Sequence, residues 1–165
     1  MKNIMLFTDS SVNPQTKIGF GAYLKINEED YSVKLNQKDF KDKVLTKKFE
    51  DTSSTKLELQ TLLWALEEQD CNECNIIVFT DCQNILSLIK RKEKLIKSNF
   101  ISSTGKVKKN KDLYIKFYHM IENKSIKFMK VKGHMKSQLR DDIDKVFNLV
   151  DRGSRHALRE YLKSL

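Results

Sequence analysis

Two strand-length apolar runs in this chain close on the same three residues, Phe7-Thr8-Asp9 and Phe79-Thr80-Asp81. The runs themselves, Ile4-Met5-Leu6-Phe7 and Ile76-Ile77-Val78-Phe79, carry no polar alternation. Such strands are stable only where both faces are covered, so they predict central strands of a sheet with helices on either side. In an open α/β sheet, ligands collect at the carboxyl ends of the strands, near the point where strand order reverses. If the two runs are adjacent and parallel, Asp9 and Asp81 stand side by side there. Neighbouring carboxylates repel, and one is driven to hold a proton unless a cation sits between them. Oxygen donors without a histidine or cysteine cluster favour magnesium or manganese over zinc. An aspartate after a strand is also an ordinary turn or cap residue, so these two positions alone leave a purely structural role open.

The rest of the pattern fits that frame. Asn13-Pro14 marks a turn, and residues 19–26 read as the next strand, with Gly19 and Gly21 where a neighbouring backbone comes close. Residues 28–43 are polar and irregular, a surface excursion with room for an edge hairpin, and residues 44–49 suit a third strand. The clearest helix follows the hydroxyl-rich Thr52-Ser53-Ser54-Thr55, with Leu59, Leu62, Leu63 and Leu66 spaced i, i+3, i+4, i+7. Glu58 borders that leucine stripe, where a carboxylate is expensive without a partner. Helices are expected over residues 83–96, 112–121 and 145–162, and a last strand over 126–131. Strands first and then alternating helices and strands indicate one α/β domain with a mixed sheet. At 165 residues the chain is long enough to bury a core of its own.

Charge is unevenly placed. The formal net charge is +9, and between Leu88 and Lys111 stand nine basic residues against the single acid Glu93. The basic positions are Lys90, Arg91, Lys92, Lys94, Lys97, Lys106, Lys108, Lys109 and Lys111. An excess focused on one segment suggests a polyanion partner, most often nucleic acid, although a solvated lysine-rich face gives the same count. No run approaches the roughly 18 apolar residues of a membrane span. With no signal-peptide pattern at Met1-Lys2-Asn3-Ile4, a soluble, cytoplasmic monomer is expected. The three cysteines fit a reducing compartment. Cys71 and Cys74 form a C-x-x-C without the second pair a structural zinc needs, so they read as two ordinary cysteines at a helix end rather than as a metal or redox site.

Taken in order, these segments resemble a known family. Thr8-Asp9-Ser10-Ser11, Asn13-Pro14 and Gly19-Phe20-Gly21-Ala22 resemble the opening of the type 1 ribonucleases H, T-D-G-S, N-P-G and G-x-G-A. Thr52 to Leu59 is similar to that family's T-x-N-x-x-x-E-L helix start. Thr80-Asp81-Cys82-Gln83 is similar to its T-D-S-Q, and Val131-Lys132-Gly133-His134 to its V-K-G-H. The basic segment before Asp112-Leu113-Tyr114 resembles the family's basic protrusion, which ends in D-L-W. The matches run in the right order over nearly the full length.

The resemblance implies a ribonuclease H-like α/β fold, with a five-stranded mixed sheet and helices on both faces. It also implies hydrolysis of the RNA strand of an RNA–DNA hybrid with two magnesium ions, or manganese in their place. Asp9, Glu58 and Asp81 then hold metal, and His134 assists proton transfer. The fourth acid is either Asp144, ten residues after His134, or Asp151, in Asn148-Leu149-Val150-Asp151, which fits the family's helix pattern better. We take Asp151 and read Asp141-Asp142-x-Asp144 as a solvated loop or helix N-terminus. Nucleic-acid contacts are implied for Ser11, Asn13, Ser54 and Thr55, and for Lys90, Arg91, Lys92, Lys106, Lys108 and Lys109. Ser10 stands where the family has glycine, and Ser54 and Thr55 replace asparagines near the hybrid's minor groove. Two further readings remain: a non-catalytic nucleic-acid-binding domain of this fold, and a related nuclease with another substrate.

Overall fold

The computed structural model describes residues 2–31, 40–131 and 137–165. Five strands form one sheet: β1 (Lys2–Asn13), β2 (Ile18–Asn27), β3 (Leu45–Phe49), β4 (Cys74–Thr80) and β5 (Ser125–Lys130), in the order β3-β2-β1-β4-β5. The first three pair antiparallel, whereas β1 with β4 and β4 with β5 are parallel, so the sheet is mixed as the sequence predicts. The helices are α1 (Glu28–Tyr31), α2 (Ser54–Glu67), α3 (Gln83–Lys90), α4 (Lys92–Lys97), α5 (Lys111–Asn123) and α6 (Ser137–Lys163).

The two unalternated runs lie at the centre. Ile4 and Leu6 of β1, with Ile76 and Val78 of β4, point into a core closed by α2, α3 and α5. Met5, Phe7 and Phe79 point the other way, into a core closed by Ile143, Val146, Phe147 and Val150 of α6. Alternate residues of each strand thus fill opposite cores, which is why neither strand shows a polar face. Phe7 pairs with Phe79 in register, and their rings stack at 4.7 Å.

Helix α2 starts where its cap predicts: the Ser53 hydroxyl accepts from the Lys56 N–H at 3.4 Å. It lies unusually close to β2, because the two strand glycines make room. A Cβ on Gly19 would run into Leu57, and one on Gly21 into Thr61. That close approach fixes the turn of α2 that carries Glu58.

Three expectations are corrected. Helix α6 begins at Ser137 rather than near Lys145, because Ile143, Val146, Phe147 and Val150 continue one buried i, i+3, i+4, i+7 stripe. Asp141, Asp142 and Asp144 therefore lie inside the helix and not in a loop before it. The single helix over 83–96 is two, parted at Arg91, whose N–H donates to Ser87 O and whose carbonyl accepts from Leu95 N–H. Cys71 and Cys74 are not two separate thiols at a helix end. The turn before β4 brings their Cα atoms to 5.7 Å, within disulfide range, and the sulfurs are bonded. The hairpin allowed for within residues 28–43 falls largely outside the described residues; those described show the short α1 at its start and a helical turn at Phe40-Lys41 near its end.

Candidate active site

The parallel register of β1 and β4 decides where the acids go. Because Phe7 and Phe79 are partners, Asp9 and Asp81 lie level, each two residues further on, at the carboxyl end of the sheet. Asp9 is still inside β1, which runs on to pair with β2 as far as Asn13. Asp81 stands just past β4, in the turn into α3, where the Thr80 hydroxyl accepts from the Cys82 N–H at 3.1 Å. Glu58 reaches the same point from α2. Carboxylate oxygens of Asp9, Glu58 and Asp81 all lie within 4.8 Å of one another.

This cluster is electrostatically uncomfortable. Asp9 is 5% exposed, and burial, reinforced by the Glu58 and Asp81 charges, pushes its carboxyl far above the usual carboxylate range. Burial likewise raises Glu58, with Asp81 and Asp151 adding to it. Ser10 counters both shifts, its backbone lowering Asp9 and its side chain lowering Glu58. The residue standing where the resemblance led us to expect glycine therefore moderates two of the acids, a role that its sequence context did not signal.

Asp151 joins from the other side of the sheet. Its carboxyl lies near enough to raise that of Asp9 and adds to the field at Glu58, and it pairs with Arg155 Nε at 3.1 Å. The three acids acting on Asp9 are thus Glu58, Asp81 and Asp151. Asp144 sits two turns earlier on α6, too far along the helix to share a position with Asp151. His134 lies outside the described residues.

The donor set fits a hard divalent cation. Among the described residues it consists of carboxylates alone, gathered on one point, and the buried Oε2 of Glu58 has no hydrogen-bond partner. An unpartnered buried carboxylate oxygen is costly in a metal-free protein, and a bound cation removes that cost.

The expected nucleic-acid contacts divide into two groups. Ser54 and Thr55 are exposed in the first turn of α2, one turn from Glu58, and Ser11 is half-buried just beyond Asp9. Asn13 has a local task, since its Oδ1 accepts from the N–H groups of Gln15 and Thr16 at 3.1 and 2.9 Å. Lys90, Lys106 and Lys109 are exposed, and Lys108 is half-buried. Arg91 and Lys92 are held internally: Arg91 donates to Asn84 and Ser87, and Lys92 pairs with Glu122 at 2.6 Å. Arg91, Lys94, Ser98, Ser102 and Lys108 line a cavity of about 550 Å3 in the basic segment.

Known proteins share this arrangement of elements. The family model described as RNase H matches residues 1–147. The chain belongs to the RNase H family. The match ends four residues before Asp151, so the position of that acid rests on the contacts above. Two Clostridium botulinum proteins named Ribonuclease H, from two type A strains, are each 30% identical to it over 77 residues. That stretch is 46% of this chain and 52% of each relative, so the match spans about half the length of those proteins. A foamy viral protease–reverse transcriptase, solved in complex with double-stranded DNA, has a similar fold. Its TM-score is 0.63 at 10% identity, with 93% of both chains covered. The ribonuclease H-like fold is thus shared even where the sequence has diverged almost completely.

Proposed function

We propose that this chain is a metal-dependent endonuclease that hydrolyses the RNA strand of RNA–DNA hybrids. The observation that carries the reading is the meeting of Asp9, Glu58 and Asp81 at the carboxyl end of β1 and β4, in a chain of the RNase H family. Asp9, Glu58 and Asp81 would hold one magnesium or manganese ion, and Asp9 with Asp151 a second. Such ions, when bound, supply Lewis acidity to the attacking water and to the leaving oxygen of an in-line displacement at phosphorus.

The chain itself supplies the positioning. Asp9 is held by the β1 ladder, so its carboxylate is positioned before substrate arrives. The close seat of α2 on Gly19 and Gly21 sets Glu58, and Arg155 restrains Asp151. Water attacks phosphorus and the bond to the 3′ oxygen breaks, leaving 3′-hydroxyl and 5′-phosphate ends. Selection for RNA would come from the 2′-hydroxyl, within reach of the exposed Ser54 and Thr55 hydroxyls at the start of α2. The Lys90–Lys111 segment would hold phosphates without reading sequence.

The test is cleavage of a labelled hybrid in magnesium. Wild-type protein should cut the RNA strand, and Asp9→Asn should not. Equal cleavage by the two proteins would sink the assignment.

A further inference from the structure

The carboxyl-terminal half of α6 carries Arg152, Arg155, His156 and Arg159 at the spacing i, i+3, i+4, i+7, one stripe along the helix. The opposite stripe, Val150, Ser154 and Leu158, is buried. The basic stripe faces the β3 edge, where Lys41 and Thr46 complete a groove of about 680 Å3. Gly153 lets the helix come this close, because a Cβ there would meet Val44 Cγ1 at 2.9 Å. Among the described residues no carboxylate lines the groove, and only Arg155 of its lysines and arginines has an acid partner, Asp151.

As a piece of helix design this stripe is unfavourable. Arg152 and Arg155 are three apart and Arg155 and Arg159 four apart, spacings at which like charges weaken a helix. The negative end of the helix dipole offsets such charges only in the last turn, which holds Lys163. A bound polyanion would turn the same stripe into an asset. The groove also adjoins the acids, since its Arg155 pairs with Asp151, whose carboxyl acts on Asp9.

We infer that this groove is a second backbone-binding surface. It holds phosphodiester groups of the same nucleic acid whose cleavable phosphate lies at Asp9, and in this it rests on the nuclease reading above. It borders the β3 edge, whereas the Leu88–Lys111 segment follows β4 on the far side of β1, so basic surfaces flank the acids on both sides. Arginine suits the task because its planar fork meets a phosphate through two parallel hydrogen bonds.

The test compares wild type with the triple variant Lys41→Gln, Arg152→Gln, Arg159→Gln, leaving Arg155 alone because it touches Asp151. Binding of a long labelled hybrid is followed across a salt series without divalent ion. The expected result is weaker binding and a slope of log K on log salt shallower by about 2–3, at roughly 0.9 for each phosphate that is no longer neutralised. A short hybrid that ends at the acids should bind both proteins alike. An unchanged slope on the long hybrid overturns the inference, and so does an equal loss on both hybrids. Arg152→Lys with Arg159→Lys should keep the slope, and the triple variant should melt no lower than wild type, since it relieves the like-charge spacing along α6. Because this arm contains no divalent ion, it reports on the groove separately. Absence of magnesium-dependent cleavage by wild type would count against the nuclease reading instead.

Discussion

Asp9 is where stability and activity pull in opposite directions. Burial and the neighbouring acids hold Asp9 and Glu58 above ordinary carboxylate values, so the folded chain keeps protons that the unfolded chain has already released. Protons bound to the native state in excess mean that stability falls as pH rises. The contribution of this pair is therefore complete below the ordinary carboxylate values, and it is lost as pH climbs through the raised native ones. In chelator, melting curves from acid to neutral pH should show this decline, and Asp9→Asn should flatten it. The same variant should melt higher at neutral pH, by about 2–4 °C for each kcal/mol of repulsion relieved in a domain of this size. A lower melting temperature would mean that Asp9 is stabilised by something other than a cation. The fourth acid is separable in the same way. Asp151→Asn should reduce hybrid cleavage by at least roughly 10–100-fold, the loss typical even for outer partners of a metal ligand. Asp144→Asn should reduce it far less, and the reverse order would move the site along α6.

At the scale of elements, the fit of α2 on β2 decides whether Glu58 is in range. Gly21→Val would force its side chain into Thr61. Overpacking of this kind destabilises by about 1–3 kcal/mol. Activity should drop further than stability explains, because Glu58 moves with the helix. Cleavage and melting measured on the same preparation check this, and a variant that loses stability but keeps full activity would show that Glu58 is placed independently. The basic segment is a separate element with a separate prediction. Replacing Lys90, Lys106, Lys108 and Lys109 with glutamine should weaken hybrid binding and flatten its salt dependence by about 0.7–0.9 for each phosphate left without its lysine. Metal affinity should not change. Arg91 and Lys92 are left out because their side chains are already engaged by Asn84, Ser87 and Glu122.

For the whole molecule, the sheet edges divide the labour. The parallel pair β1–β4 brings the acids together, the β3 edge and α6 form one basic wall, and the segment after β4 forms another. A divalent ion that binds only the folded cluster should stabilise the whole domain by mass action. Magnesium titration should raise the melting temperature of wild type and leave that of Asp9→Asn unchanged. An equal rise in both would place the bound ion elsewhere.

The strand pattern, the leucine helix and the two Phe-Thr-Asp closures were legible because they are local: burial on both faces or on one stripe is written into residue spacing. Glu58 and Asp81 could be named for the same reason, Glu58 by the leucine helix it lies in and Asp81 by the strand it follows. What spacing could not carry is convergence. Whether Asp9 and Asp81 stand level depends on the pairing of Phe7 with Phe79, a register between strands some seventy residues apart. Whether Asp151 joins them depends on how α6 crosses the sheet. The break at Arg91 and the Cys71–Cys74 bond escaped the sequence because each depends on packing and turn geometry that residue spacing does not encode. The early start of α6, by contrast, is written in the Ile143–Val150 spacing and is masked in the sequence by the acids interleaved with it. The arginine stripe is present in the sequence as a spacing, yet it became a groove only when the fold set Lys41 and Thr46 opposite it.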